Sequence, residues 1–122
     1  MKKRILLVDD EVMITEVMAT LIQKGHPDWE IVVEATLQSA VARVDEVFDG
    51  LITDFNLGDG RGTVLISLVR RQKLPWKVIL MSGLDAELAR VEGEKVGINY
   101  FLAKPFKPEL LEEALHTVGL TD

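Results

Sequence analysis

The sequence contains no cysteine, which removes disulfides, thiolate nucleophiles and cysteine-ligated zinc together and fits a reducing compartment. Histidine is scarce too: His26 and His116 have no metal-ligand spacing and read as surface residues. Positive charge is in deficit, with 14 Lys and Arg against 20 Asp and Glu and a formal charge of -6, which argues against direct nucleic-acid binding. No apolar run exceeds four residues, whereas a membrane-spanning helix needs roughly 20. Met1-Lys2-Lys3-Arg4 imitates the basic end of a signal peptide, but only Ile5 to Val8 follows before Asp9 and Asp10. A cytoplasmic protein, neither exported nor membrane-bound, is therefore expected. Internal repeats, linkers and low-complexity tracts are missing as well. The 122 residues, 48% hydrophobic and 28% charged, read as one domain over 1–122 with no attached output module.

What is present is an alternation of short apolar runs with stretches of helical spacing. Ile5-Leu6-Leu7-Val8 and Val78-Ile79-Leu80-Met81 are continuous and aliphatic, as strands buried on both faces of a parallel sheet must be. Leu51-Ile52-Thr53 is a third strand, and the more polar Ile31–Ala35 and the aromatic Tyr100–Ala103 suit the sheet edges. Ile14, Val17, Met18, Leu21 and Ile22 predict the buried stripe of a first helix stopped by Gly25 and Pro27. Leu37, Ala40, Val41 and Val44 predict a second helix, capped by Thr36. Leu65, Leu68 and Val69 predict a third, after a glycine-rich loop from Gly58 to Gly62. Asp85 is expected to cap a fourth helix that buries Leu88 and Val91 and is weakened by Gly93. A fifth begins at Pro108 and buries Leu110, Leu111, Ala114, Leu115 and Val118, leaving Gly119 to Asp122 as a short tail. Trp29 and Trp76 are expected to be partly buried near strand starts. Five strand-helix repeats call for an α/β, doubly wound parallel sheet with right-handed crossovers.

Such sheets bind ligands beyond the carboxyl ends of their strands. Four of the five ends carry capable side chains: Asp9-Asp10, Asp54, Ser82 and Lys104. Like charges at about 4 Å repel by about 4 kcal/mol at an effective dielectric of 20, so three gathered carboxylates require positive charge among them. Lys104 supplies one, and an all-oxygen cluster suits Mg2+. A carboxylate held against a magnesium ion, a lysine and a hydroxyl is open to phosphorylation, with Asp54 as nucleophile, Asp9 and Asp10 holding the metal and Ser82 bonding a phosphoryl oxygen. Taken singly these residues have blander roles: Asp54 or Asp10 as helix caps, Ser82 as a turn former, Lys104 as a solvated charge, Phe101 as edge-strand core. Their combination favours chemistry.

At these residues the sequence resembles the receiver (response regulator) domain of two-component signal transduction systems, from Ile5 to about Val118. The resemblance is carried by Leu7-Val8-Asp9-Asp10-Glu11, Leu51-Ile52-Thr53-Asp54, Leu80-Met81-Ser82-Gly83 and Lys104-Pro105-Phe106. It implies a flavodoxin-like sheet of order 2-1-3-4-5 with five helices. It implies Mg2+ held by Asp9, Asp10, Asp54 and the Asn56 backbone carbonyl, a switch made of Ser82 and Phe101, and a cis Lys104-Pro105 peptide. The implied partners are a sensor histidine kinase or histidine phosphotransfer protein, and a homodimer or output domain at the face of helix four, strand five and helix five. The implied activity is that of a signalling domain that catalyses its own phosphorylation. Two features depart from the family pattern: Leu57-Gly58-Asp59-Gly60-Arg61-Gly62 replaces the frequent Met-Pro after the acceptor, predicting a looser loop, and Leu84 offers no group to orient an attacking water. A haloacid-dehalogenase-like phosphatase would need an acid two residues after Asp54, where Asn56 stands, and a non-phosphorylated receiver-like binding module would lack an acid or the lysine.

Overall fold

The computed structural model describes residues 2–121; Met1 and Asp122, the ends of the expected domain, of its basic start and of its tail, lie outside the described residues. The apolar runs form β1 (Arg4–Val8), β2 (Glu30–Glu34), β3 (Gly50–Asp54), β6 (Lys77–Ser82) and β7 (Tyr100–Ala103), all parallel, in the order β2-β1-β3-β6-β7. Counting sheet strands alone, this is the doubly wound α/β fold of order 2-1-3-4-5. A hairpin of two residues per strand, β4 (Asn56–Leu57) with β5 (Gly60–Arg61), stands outside the sheet.

Five helices, α1 (Val12–Gly25), α2 (Leu37–Val41), α3 (Gly62–Arg71), α4 (Ala86–Val96) and α5 (Pro108–Thr117), cover the two faces. Because strand side chains alternate, each central strand feeds two cores. Leu6, Val8, Leu51, Val78 and Leu80 pack with α2, α3 and α4 through Ala40, Leu65, Ile66, Val69 and Ala89. Ile5, Leu7, Ile52, Ile79 and Met81 pack with α1 and α5 through Met18, Ile22, Leu111, Ala114 and Leu115. The register that pairs Leu7 with Ile52 and Ile52 with Ile79 aligns the strand ends that carry the polar residues.

Several local expectations are corrected. Met18 and Ile22 of α1 are buried, but Val17 is 58% exposed because the helix meets the sheet on a narrower stripe. The turn into α1 is closed by Asp9, whose Oδ1 accepts from the Glu11 amide at 3.0 Å, so Glu11 and not Asp10 occupies the N-cap position. The Thr36 hydroxyl does cap α2, accepting from the Ser39 amide, but α2 ends at Val41 and Val44 is buried from the following turn. Trp29 and Trp76 are buried, at 6% and 3% exposure, and not merely partly so. His26 is half-buried, stacked on Trp29 with ring centroids 3.9 Å apart and paired through Nε2 with Glu112 of α5 at 2.9 Å, whereas His116 is exposed.

The fourth helix differs most. It presents Ala89 and Gly93 to the sheet while Leu88 and Val91 are exposed, and Asp85 sits in the left-handed region (φ 57°) with no side-chain cap hydrogen bond. Small residues let α4 lie close to β6: a Cβ at Gly93 would stand 2.7 Å from Leu80 Cδ2 and 2.9 Å from Ile98 Cδ1. Gly93 is thus a packing requirement and not a weakness. Helix propensity alone would have Gly93→Ala stabilise the fold by about 1 kcal/mol. Overpacking reverses the sign, and a net loss of about 1 kcal/mol or more is expected in the urea unfolding of Gly93→Ala.

Candidate functional site

The parallel strands deliver their carboxyl ends to one rim, where a cleft of about 390 Å3 is lined by Asp10, Glu11, Asp54, Asn56, Ser82, Gly83, Leu84 and Lys104. Asp54 is the last residue of β3 and Ser82 the last of β6; Asp9 and Lys104 follow β1 and β7 directly. Asp9 is fully buried and Asp54 is 8% exposed. Lys104 reaches between them, donating to Asp9 Oδ2 at 2.7 Å and standing 3.5 Å from Asp54 Oδ1 and 3.7 Å from Glu11 Oε1. The Lys104-Pro105 peptide bond is cis.

Asp54 resists ionisation. Burial pushes Asp54 up to about 6, outweighing the nearby Lys104 ammonium, while Asp9 adds like-charge repulsion. Burial works against the Lys104 charge as well, but the hydrogen bond to Asp9 and the Asp54 charge more than offset it, and its pKa is raised. The cleft therefore keeps a permanent cation beside an acid whose charge is held at a cost.

Asp9, Glu11 and Asp54 each bring an oxygen to within 4.8 Å of the other two. One lysine among these carboxylates leaves negative charge over, and the donors are all hard oxygens, so the residues present fit a magnesium ion. Asp10 is exposed and lines the cleft beside Asp54 and Asn56 without joining that close trio. Glu11 was missed as a candidate: its only signal was its place one residue after the acidic pair. Ser82 is buried, and its hydroxyl donates to the Leu84 carbonyl at 2.6 Å. Phe101, on β7, is half-buried against the core under α4.

The glycine-rich segment after Asp54 is not loose. Asp59 at the tip of the β4–β5 hairpin accepts from the first amides of α2, Leu37 at 2.7 Å and Gln38 at 2.9 Å, and these bonds hold its carboxyl below the usual range. Gly62 starts α3 directly against β3, where any Cβ would collide with the Asp54 carbonyl oxygen. The hairpin that carries Asn56 is thus fixed by contacts remote in sequence.

A sheet of this order with acids, a hydroxyl and a lysine at four adjacent strand ends defines a class. The chain belongs to the response regulator receiver domain family, whose model matches residues 5–116. It is similar to the chemotaxis protein CheY of Thermotoga maritima, 29% identical over 121 residues covering 98% of this chain and 99% of that protein. It is also similar to the phosphate regulon transcriptional regulatory protein PhoB of Klebsiella pneumoniae, 29% identical over 97% of this chain and 52% of PhoB. The chain spans 29% of the length of the transcriptional regulatory protein FlgR of Helicobacter pylori and 42% of TrcR of Mycobacterium tuberculosis. Among solved structures, the chemotaxis response regulator CheY4 of Vibrio cholerae superposes with a TM-score of 0.86 at 26% identity, over 97% of this chain and 99% of that one. Among the described residues no helix is long and apolar enough to cross a membrane.

The raised pKa of Asp54 has a measurable consequence. The folded protein binds this proton more tightly than the unfolded chain, so stability falls as pH rises from about 4 to about 6, and the full penalty persists above that window. In metal-free protein Asp54→Asn is expected to raise stability at pH 8 by on the order of 1 to 3 kcal/mol, with the gain vanishing near pH 4. Urea unfolding in chelator across that range is the measurement; a gain that does not change with pH contradicts the burial argument.

Proposed function

We propose that Asp54 is the phosphoacceptor of a two-component phosphorelay, taking a phosphoryl group from a histidine kinase or phosphotransfer protein in a Mg2+-dependent reaction. The observation that carries this reading is Lys104, anchored on Asp9 and 3.5 Å from an Asp54 oxygen, so that an ammonium stands where phosphoryl charge would develop. Asp9, Asp10, Asp54 and the Asn56 carbonyl are the proposed holders of the ion, with Glu11 beside them. When bound, Mg2+ supplies positive charge to the transferring phosphoryl oxygens.

The chain's own residues supply the rest. An ionised Asp54 oxygen forms a bond to phosphorus as the bond from phosphorus to the donor imidazole nitrogen breaks, and that nitrogen keeps the electron pair. Lys104 neutralises one phosphoryl oxygen. Ser82 leaves the Leu84 carbonyl and donates to another. Ser82 ends β6 and Lys104 follows the adjacent β7, so a group of charge about -1.5 to -2 draws both inward. The loop at Leu84 then shifts, Phe101 turns into the space beneath α4, and the face of α4, β7 and α5 becomes the site for an output domain or a second copy of the chain. Domain 1–122 thereby acts on itself as catalyst and serves its partner as a signal.

A protein donor is supported by the surface beside the cleft. A groove of about 650 Å3 runs between Ile14, Val17 and Leu21 of α1 and Leu84, Pro105 and Phe106. Val17 and Leu84 in its lining are 58% and 84% exposed, an apolar approach that a small phosphate ester does not need. The net charge of -6 keeps direct nucleic-acid contact outside the proposed role, and a cytoplasmic location accords with it.

Treatment with acetyl phosphate and Mg2+ is expected to add one phosphoryl group, seen in the intact mass, that is absent in Asp54→Asn. An adduct of equal yield in that variant contradicts the assignment. Asp10→Ala is expected to weaken Mg2+ binding in the unphosphorylated protein roughly tenfold or more, and Asp59→Ala to weaken it less, through the hairpin. Calorimetric titration compares them, and unchanged affinity in Asp10→Ala removes it from the site.

A further inference from the structure

The β4–β5 hairpin has a second anchor, on the side away from α2. Arg61 of β5 pairs in register with Asn56 of β4, and its Nη1 donates to both carboxylate oxygens of Glu92 on α4, at 2.8 and 3.1 Å. The same guanidinium lies 5.1 Å from the centroid of the Phe55 ring. Phe55 is fully buried and follows Asp54; its amide donates to Asp54 Oδ1 at 3.1 Å and to the Met81 carbonyl at 2.8 Å. Arg61 thus touches the residue next to the acceptor at one end and α4 at the other. Glu92 is followed by Gly93, the point at which α4 lies hard against Leu80 and Ile98, so a pull on Glu92 acts where the helix has least room to rotate.

We infer that Arg61 is a positioning residue that couples the acceptor hairpin to α4, giving the helix a link to Asp54 through Phe55 and Arg61 in addition to the one through Ser82. The inference rests on Asp54 as phosphoacceptor. Arginine suits the role because its planar group stacks on an aromatic face and donates to a carboxylate at once. The pair is half-exposed, so its effect belongs in where α4 sits and not in overall stability. Nothing in Arg61 reaches the cleft, since it is not among the cleft-lining side chains; it acts through Phe55.

The test uses the full chain with beryllofluoride and Mg2+, following amide shifts by NMR. Wild type is expected to shift both around Asp54 and along Glu87–Val96. Arg61→Gln and Glu92→Gln are expected to keep the Asp54-region shifts and beryllofluoride affinity while losing about half or more of the α4 response, and Arg61→Lys, which keeps the charge but not the planar group over Phe55, to lose a comparable share. Wild-type α4 shifts in both neutral variants overturn the coupling, and so does a full wild-type α4 response in Arg61→Lys. If wild type shows no shift around Asp54, the phosphoacceptor reading fails first and the coupling fails with it, a result distinct from the other two.

Discussion

The contact between Lys104 and Asp9 governs this molecule. At 2.7 Å, between a fully buried acid that follows β1 and a lysine that follows the edge strand β7, it reaches over the ends of β3 and β6 and ties that part of the rim together. Asp9 also closes the turn into α1 through the Glu11 amide, so one carboxylate sets the start of a helix and the aim of a lysine. Without that lysine, Asp9 and Asp54 would be like charges buried side by side; with it, Asp54 can ionise at neutral pH while remaining destabilised.

The stiffness of the acceptor segment follows from a different kind of force. Four glycines between Gly50 and Gly62 would suggest freedom, yet Gly62 is present because α3 starts against the β3 backbone, and Gly60 because the Leu37 side chain packs over it. Asp59 then fastens the hairpin tip to α2 and Arg61 fastens its base to α4. The hairpin side of the site is thus held by several long-range contacts, whereas on the other side the Ser82 hydroxyl has the neighbouring Leu84 carbonyl as its partner and Leu84 itself is exposed.

The parallel core strands were legible in the sequence because burial on both faces demands unbroken aliphatic runs, as in Ile5–Val8 and Val78–Met81. Strand order followed from the resemblance, and the rim residues from pattern and resemblance together. The orientation of α4 was not legible: its buried face is made of Ala89 and Gly93, which carry almost no hydropathy signal, while Leu88 and Val91 imitate a buried stripe from the exposed side. The hairpin was missed for a related reason, since its order comes from Asp59 and Arg61 reaching elements 21 to 31 residues away, and no local window contains both partners. Glu11 escaped notice because only the fold shows its side chain turned toward Asp9 and Asp54.

The most direct measurement of the central claim is chemical trapping of the acyl phosphate. Borohydride reduction of the chain after reaction with a phosphohistidine donor, followed by peptide sequencing, is predicted to yield homoserine at position 54, at full yield with Mg2+ and at background level with chelator. Homoserine at another acidic position, or trapping at position 54 that is unaffected by chelator, would contradict it.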